Sequence, residues 1–268
     1  MLLYRYEKAK DDRIGSLEQG KLWMSLPTSF NDPLDCQLSI VDKSEYSTFE
    51  AENLKQAALV LYDAYDLNNG SWLLDQEIVD SIREWAVGHD LTPKPHFLDL
   101  VRKRIQKFGI QCFSELVDCP LMWSHYANNH EGFCIEYEYS PMNLAVGNKS
   151  EFAMGPALYT SRLPEFRLTE ILFSPKEVAE RLYATKSEHW SYEKEYRLIN
   201  FSLNCEKDKT GACVELPDGL SVKSIVAGSR TQKPMADKLQ TVASKLCVNF
   251  EKMEREAAGY RLVRTAGN

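Results

Sequence analysis

Eight residues near the middle of the chain, 190–197, combine two carboxylates and a guanidinium with aromatic rings. Alternation of side chains along a β-strand would place Glu193, Glu195 and Arg197 on one face and Tyr196 on the other. Two carboxylates at that spacing can act as general base and orienting partner, or stabilise a cation that develops on a substrate. The same row also fits an exposed strand face on which Arg197 pairs with both acids.

A second candidate lies at the start of the chain, where Arg5 stands between Tyr4 and Tyr6. A guanidinium on a first strand could hold a phosphate or a carboxylate through paired hydrogen bonds. An arginine that points outward to solvent from the same strand is the alternative.

A third candidate is the loop 26–35, which follows the second predicted strand and contains two prolines. Asp32 and Asp35 could hold a divalent metal together with Glu193 or Glu195, as in a metal-dependent nuclease or phosphodiesterase. Alternatively, Asn31 and Asp32 cap their own turn.

A fourth candidate is the predicted helix at 121–128. Trp123 and Tyr126 share one of its faces, and His125 lies on another. The aromatic face is either part of the core or a platform for a ligand. His125 and His130 are five residues apart, which is the wrong spacing for a zinc pair on a helix. A mixed site with nearby cysteines remains open, and these are Cys112, Cys119 and Cys134.

The composition limits the classes of protein that need to be considered. The 268 residues carry a formal net charge of -7, which argues against a broad surface that coats nucleic acid but not against a small basic cleft. The sequence contains neither a glycine-rich phosphate loop nor an apolar run of about 18 residues, and its start lacks the features of a signal peptide. We therefore expect a cytoplasmic protein without a membrane span, whose seven scattered cysteines are buried, reduced thiols.

Strands and helices are predicted to be mixed without regular alternation, which indicates an α+β fold with mainly antiparallel sheets. We expect one domain over 1–268, with an inserted helical block at about 46–109 that contains a proline-rich break at 92–95 and forms either a layer or a lid. Ser174 and Glu177 predict a capping box at the start of a helix that ends near 185. Further strands are expected at 2–6, 21–25, 133–139, 157–160, 192–203 and 260–263, further helices at 12–19 and 234–246, and a hairpin over 213–227.

Several of these segments together resemble the bacterial domain of unknown function family 2971. The resemblance is carried by residues 4–6, 25–27, 30–33, 122–126 with Gly132, and 186–197, and it covers nearly the full chain. The helical block at about 46–109 matches least well.

A more distant resemblance is to ADP-ribosyltransferases, with an opening similar to that of toxin-type DNA ADP-ribosyltransferases. It implies that Arg5 holds the diphosphate of NAD and that Ser25 hydrogen-bonds the catalytic glutamate. Glu195 would bind the nicotinamide ribose and stabilise its oxocarbenium-like state, while Glu193 would orient or deprotonate the acceptor. With these, the resemblance and the candidate segments predict a wider set of residues around NAD, namely Tyr4, Asn31, Asp32, Trp123, His125, Tyr126, Trp190 and Arg197.

Three functions remain open from the sequence. The first is an ADP-ribosyltransferase-like enzyme that uses NAD, as a toxin or phage-defence effector acting on nucleic acid or protein, with a cognate antitoxin or regulatory partner. The second is the metal-dependent nuclease or phosphodiesterase. The third is a non-catalytic binding or regulatory module whose charged row is an interface.

Overall fold

The computed structural model describes residues 1–41, 47–63, 65, 67, 73–89, 96–140, 152–201, 203, 205–206 and 209–267. Helices and mainly antiparallel strands are mixed along the chain, so the protein has the predicted α+β fold. The helices are α1 Asp11–Glu18, α2 Thr48–Asp63, α3 Gln76–Val87, α4 Phe97–Ile105, α5 Pro120–Tyr126, α6 Leu168–Phe173, α7 Pro175–Ala184 and α8 Lys233–Lys245. The strands are β1 Leu2–Glu7, β2 Lys21–Ser25, β3 Ser39–Ile40, β4 Gly109–Ser114, β5 Phe133–Tyr139, β6 Phe152–Pro156, β7 Leu158–Thr160, β8 Glu165–Phe166, β9 Thr185–Ser187, β10 Glu195–Asn200, β11 Gly211–Glu215, β12 Leu220–Ala227, β13 Asn249–Arg255 and β14 Leu262–Ala266.

Ten of these strands form one sheet. Its main path runs β11-β2-β4-β1-β5-β12-β13-β14, and β10 joins β4 to β6 as a branch. Within the described strands of this sheet the pairs are antiparallel except β12 with β13, which α8 connects. The short pairs β3 with β8 and β7 with β9 are parallel and lie outside it.

The sheet divides between β1 and β4, two fully described strands. They pair at one position, where Tyr4 lies opposite Ser114. Beyond it, β1 continues along β5, while β4 continues along β10. The segments Arg5–Tyr6 and Cys112–Phe113 are therefore neighbours without a ladder between them, and a gap opens in the sheet.

The helical block belongs to a hydrophobic core rather than to a detached lid. Buried side chains of α2, α3 and α4 pack in one cluster with those of α6 and α7, and with Ile110 of β4 and Ile199 of β10. The opposite side of the sheet packs on α1 and α8 in a second cluster. Residue 46 of the predicted block and its break at 92–95 lie outside the described residues.

Several local predictions are confirmed by the fold. Strand β2 has the predicted bounds, and α1 ends before Gly20, whose φ of 71° is readily adopted by glycine. Helices α7 and α8 also begin and end within a residue or two of the predicted positions.

Other local predictions are wrong. Helix α7 begins at Pro175, but the Ser174 side chain makes no capping hydrogen bond. The expected hairpin is absent from the described strands because β11 pairs with β2, whereas β12 pairs with β5 and β13. A turn with Gly219 at φ 86° joins these strands, yet it carries the chain from one part of the sheet to another. Strands β3, β4, β6, β8, β9 and β13 were not predicted, and the last strand is Leu262–Ala266 rather than 260–263.

The cysteines are less buried than expected. All seven are free thiols, but only Cys36 and Cys134 are buried, whereas Cys213 and Cys247 are exposed. Among the described residues, no helix combines the length and the apolar character needed to cross a bilayer.

Candidate active site

A pocket of about 340 Å³ lies in the gap between β1 and β4, and it is called the main pocket because most of the predicted site residues line it. The segments Arg5–Tyr6 and Cys112–Phe113, which do not pair with each other, line it on two sides, and Ser25 of β2 lines it near the point where β2 meets β4. A split sheet exposes backbone and side chains that a continuous ladder would cover, which is why a pocket forms here. Eight of the twelve sequence-predicted site residues line this pocket, and they are Tyr4, Arg5, Ser25, Asn31, His125, Tyr126, Glu193 and Glu195.

The two glutamates reach the pocket from different elements, and not from one strand as predicted. Residues Glu188–Glu193 form a 3-10 helix, Lys194 adopts a left-handed conformation with φ of 45°, and β10 begins at Glu195. For a residue with a Cβ this conformation costs on the order of 1 kcal/mol. The Ser114 hydroxyl helps to fix the turn, because it donates to the Glu193 carbonyl oxygen at 2.5 Å.

The predicted face of the strand persists from Glu195 onward, because Glu195 and Arg197 interact while Leu198 packs in the core on the opposite side. Residue 202 of the predicted strand lies outside the described residues.

A chain of alternating charges lies behind and beside the pocket. Arg197 binds both oxygens of Asp35, with Nη1–Oδ1 at 2.9 Å and Nη2–Oδ2 at 2.6 Å, and its Nε donates to Glu195 Oε1 at 2.7 Å. Lys186 Nζ contacts Glu195 Oε2 and also Glu193 Oε2, the latter at 2.5 Å. All five side chains are at most 8% exposed, so this is not the solvent-facing row that was the alternative. Three carboxylates and two cations leave one net negative charge when all are ionised.

The surroundings drive the proton affinities of the two glutamates in opposite directions. Burial alone would raise the pKa of Glu195, but Arg197 and Lys186 outweigh it and lower this pKa to about 2. Burial raises the pKa of Glu193 above its ordinary value, although Lys186 and the Tyr126 hydroxyl oppose the shift. Opposite shifts in neighbouring carboxylates are the pattern of a fixed anion beside a group that exchanges protons.

Helix α5 contributes an aromatic wall next to Glu193. The Tyr126 hydroxyl donates to Glu193 Oε1 at 2.6 Å. His125 is exposed at the pocket, and its ring centroid lies 6.3 Å from that of Tyr192, which in turn lies 6.2 Å from that of Trp190. Of these aromatic residues, His125 and Tyr126 line the pocket, whereas Trp190 and Tyr192 do not.

Two basic side chains, Arg5 and Lys8, also line the pocket. Arg5 donates through Nε to Glu7 at 3.0 Å and through Nη1 to the Cys112 carbonyl oxygen at 3.1 Å, across the gap between the strands. Lys8 is exposed. Ser25 accepts a hydrogen bond from Trp23 Nε1 at 3.1 Å. The carboxylates of Glu193 and Glu195 bind Lys186, Tyr126 and Arg197 instead of the predicted Ser25.

The other four predicted residues do not line the main pocket. Trp123 is fully buried in the core between α5 and the sheet, where its Nε1 donates to the Val117 carbonyl oxygen at 2.6 Å. Arg197 is 1% exposed and lies behind Glu195, so a cofactor in the pocket would not contact it directly. Trp190 donates to Asp32 Oδ2 at 2.9 Å, and Lys186 Nζ lies 5.5 Å from the Trp190 ring centroid.

The loop after β2 thus supports the charged chain through its two aspartates. Asp32 accepts from Trp190 and from the Leu34 backbone N–H, and Asp35 is engaged by Arg197. The predicted turn-capping role of Asp32 is confirmed by the second of these bonds. Neither aspartate lies in a metal-binding group: the described residues contain no cluster of three or more His, Cys, Asp or Glu side chains placed to hold a metal ion. The predicted metal site and the mixed cysteine–histidine site therefore have no ligand set in that part of the chain.

The sequence analysis did not identify Lys186 or Tyr159 as site residues. It considered Asp35 as a metal ligand and not as the partner of Arg197. Tyr159 lies opposite Lys186 in the β7–β9 pair, and its hydroxyl accepts from the Glu195 backbone N–H at 2.7 Å. Burial raises the pKa of Tyr159 to about 12. The available signal was the position of Lys186 nine residues before Glu195, but only the turn at 188–194 brings the two together.

The fold and site define an α+β protein with a pocket in a split sheet and a buried carboxylate–lysine–carboxylate bridge. A family model described as protein of unknown function (DUF2971) matches residues 122–198, which run from α5 into β10. The match includes Tyr126, Lys186, Glu193, Glu195 and Arg197, but neither β1 nor the helical block. No curated protein and no solved structure matches the chain.

Proposed function

We propose that the protein is an ADP-ribosyltransferase-like enzyme that binds NAD in the pocket between β1 and β4. The observation that supports this proposal is that one pocket is lined both by two cations, Arg5 and Lys8, and by the Glu193–Glu195 pair. NAD also carries charges of both signs, since its diphosphate is anionic while its nicotinamide ring is cationic. A pocket of about 340 Å³ lies within the usual range for small-molecule sites and suits the nicotinamide riboside part of the molecule.

The proposed reaction breaks the bond between the nicotinamide nitrogen and C1′ of the ribose. The electron pair of that bond goes to the nitrogen, so nicotinamide leaves as a neutral molecule and positive charge develops on the ribose. An oxygen or nitrogen atom of the acceptor forms the new bond to C1′ and loses its proton. The charge change takes place inside a buried site, where a fixed carboxylate acts more strongly than in water.

The two glutamates suit different parts of this reaction. Glu195 keeps its charge, because Arg197 and Lys186 hold its pKa at about 2 despite burial, and so it can oppose the positive charge of the ribose. Glu193 has the raised pKa and suits the acceptance of the proton from the acceptor. Arg5 would bind the diphosphate, and the rings of His125 and Tyr126 offer faces to nicotinamide.

The proposal predicts that NAD raises the melting temperature in proportion to ln(1 + [NAD]/Kd), and that nicotinamide is released in the presence of an acceptor. Glu193→Gln should lower the rate of nicotinamide release by about 100-fold or more while NAD still shifts the melting temperature. The matched control is Glu138→Gln, because Glu138 is an exposed strand glutamate paired with Lys223. The absence of any thermal shift at millimolar NAD would contradict the proposal.

A non-catalytic binding module is the second candidate, and one observation favours it. Both oxygens of Glu195 are already engaged by Arg197 and Lys186, which also fits a purely structural role for that carboxylate. In that case NAD or another nucleotide would shift the melting temperature without release of nicotinamide, and Glu193→Gln would change affinity alone. The acceptor class, the toxin or phage-defence role and a cognate antitoxin or regulatory partner remain predictions from the sequence resemblance.

A further inference from the structure

Lys186 occupies the centre of the site although it is outside the predicted set. It lies in β9, where backbone pairing with β7 fixes its position, and it is 8% exposed. Its ammonium group contacts one oxygen of Glu193 and one oxygen of Glu195. The face of Trp190 lies 5.5 Å from the same nitrogen, which leaves the ammonium little contact with water.

The partners of the two carboxylates are unequal apart from this shared lysine. Glu195 has a second cation, Arg197, whereas the second partner of Glu193 is the neutral hydroxyl of Tyr126. Protonation of Glu193 therefore costs less free energy than protonation of Glu195. Removal of the ammonium would leave two buried carboxylates side by side, and such pairs share one proton at neutral pH.

Several other titratable groups face the bridge from neighbouring elements. Asp35 lies behind Arg197, Cys112 of β4 lies beside Glu195, and Tyr159 of β7 and Tyr192 of the 3-10 helix lie nearby. Burial raises the pKa of Cys112, Tyr159 and Tyr192, so these groups stay neutral near pH 7. None of them can replace the positive charge of Lys186.

We propose that Lys186 is the positioning residue of this site: its ammonium keeps both carboxylates ionised and oriented, and leaves Glu193 as the one that exchanges a proton. Without it, the pair would hold a proton at neutral pH, and Glu193 could no longer accept one from a substrate. The effect of Lys186 on catalysis rests on the proposed function. Its effect on the ionisation of Glu193 and Glu195 does not.

The test compares wild type with Lys186→Met, Lys186→Arg, Glu193→Gln and the double variant Lys186→Met/Glu193→Gln. Melting temperature is measured from pH 5 to pH 9 without ligand. In Lys186→Met the raised proton affinity of the carboxylate pair must make the folded state bind more protons than the unfolded state, so stability falls as pH rises. We expect the melting temperature to fall by about 3 to 5 °C per pH unit relative to wild type, until the pair ionises.

The controls separate this mechanism from a general loss of packing. Lys186→Arg restores the charge and should restore the wild-type pH profile, and the double variant should lose the added slope because one carboxylate is gone. If Lys186→Met does not fold at pH 8 while the double variant does, the same conclusion is supported. Parallel pH profiles of Lys186→Met and wild type would overturn the proposed role of Lys186. The failure of both Lys186→Met and the double variant to fold at every pH would also overturn it.

The pH dependence of the melting temperature tests the role of Lys186 whether or not NAD binds. A normal response to NAD with parallel pH profiles overturns the role of Lys186 and leaves the proposed function intact. No response to NAD, with the pH-dependent loss in Lys186→Met, supports the charge role and contradicts the proposed function. If nicotinamide is released, Lys186→Arg should retain a similar KM for NAD, and any change should appear in the acid limb of the pH profile of kcat.

Discussion

Two clusters of carboxylates and arginines are built on the same sheet, and their surroundings differ. The first is the charged chain of Asp35, Arg197, Glu195, Lys186 and Glu193. The second lies toward the far edge, where Arg264 Nη1 binds Glu136 at 2.6 Å and its Nη2 contacts Glu251 and the Ser224 hydroxyl.

The two clusters differ in access to water and in their relation to the pocket. The Arg197 side chain is 1% exposed, whereas that of Arg264 is 27% exposed. Glu193 and Glu195 line the pocket, and Glu136 and Arg264 are not among its lining residues. Every charge of the first cluster is buried, whereas Arg264 and Glu251 of the second remain in contact with water even though Glu136 is buried. Burial of the whole cluster makes its charges more costly and more reactive.

Removal of the arginine from each cluster should produce the largest difference. Arg197→Met leaves Asp35 and Glu195 buried without their shared cation, and should lower the free energy of unfolding by about 3 to 5 kcal/mol. Arg264→Met should cost less, about 1 to 2 kcal/mol, because Arg264 itself and its partner Glu251 are each 27% exposed, although Glu136 is buried. Denaturant unfolding measures both values, and equal losses would mean that the burial contrast has no energetic effect.

A second comparison uses acid pH. The pKa of Glu195 is about 2 in the folded protein and near 4.3 in an unfolded chain, so its contribution to stability is present above about pH 4.5 and is lost as pH falls toward 2. This contribution is on the order of 3 kcal/mol. Glu195→Gln should flatten the acid limb of the curve of stability against pH, as followed by urea unfolding.

The matched variant for the acid test is Glu136→Gln. It leaves Glu195 in place and should retain the acid limb. An unchanged limb in Glu195→Gln would show that other carboxylates cause the acid loss.

The smallest effects are expected from the hydroxyl partners. Tyr126→Phe removes a 2.6 Å bond to Glu193 and should cost about 1 to 2 kcal/mol, with a further rise in the pKa of Glu193. Ser224→Ala removes longer contacts, of 3.4 Å to Glu136 and of 3.1 Å from Arg264 Nη2, and should cost about 1 kcal/mol. Thermal unfolding at pH 7 measures both, and a larger loss in Ser224→Ala would reverse the ranking of the two clusters.

Prediction from sequence succeeded where local chemistry determines local structure. The bounds of β2, the stop of α1 before Gly20 and the start of α7 at Pro175 depend on side chains within a few residues. It failed at the supposed hairpin, because the turn at Gly219 favours a reversal of the chain but does not choose the partner strand. Strand β11 pairs with β2 through contacts that are distant in sequence.

The same distinction between local patterns and long-range contacts applies to the site. The Glu-x-Glu-x-Arg pattern drew attention to the correct acids, and alternation along the strand placed Glu195 and Arg197 on one face. The pattern did not reveal the left-handed Lys194 or the 3-10 helix before it, and therefore gave no sign that Lys186 lies between the acids. The sequence allowed the aromatic face with Trp123 to be either part of the core or a platform for a ligand, and Trp123 is in the core.

The sequence by itself determined the α+β class, the helical block and the residues most able to do chemistry, since these follow from composition, periodicity and residue type. Only the tertiary structure decided that the sheet splits between β1 and β4, that Asp35 and Lys186 join the two glutamates and Arg197, and that the whole chain of charges is buried. The physical reason is that proton affinity and ion pairing depend on distance and on exclusion of water, and both result from contacts between residues far apart in sequence. Asp35 and Arg197 are an example, because they lie 162 positions apart in the chain and no local pattern links these two side chains.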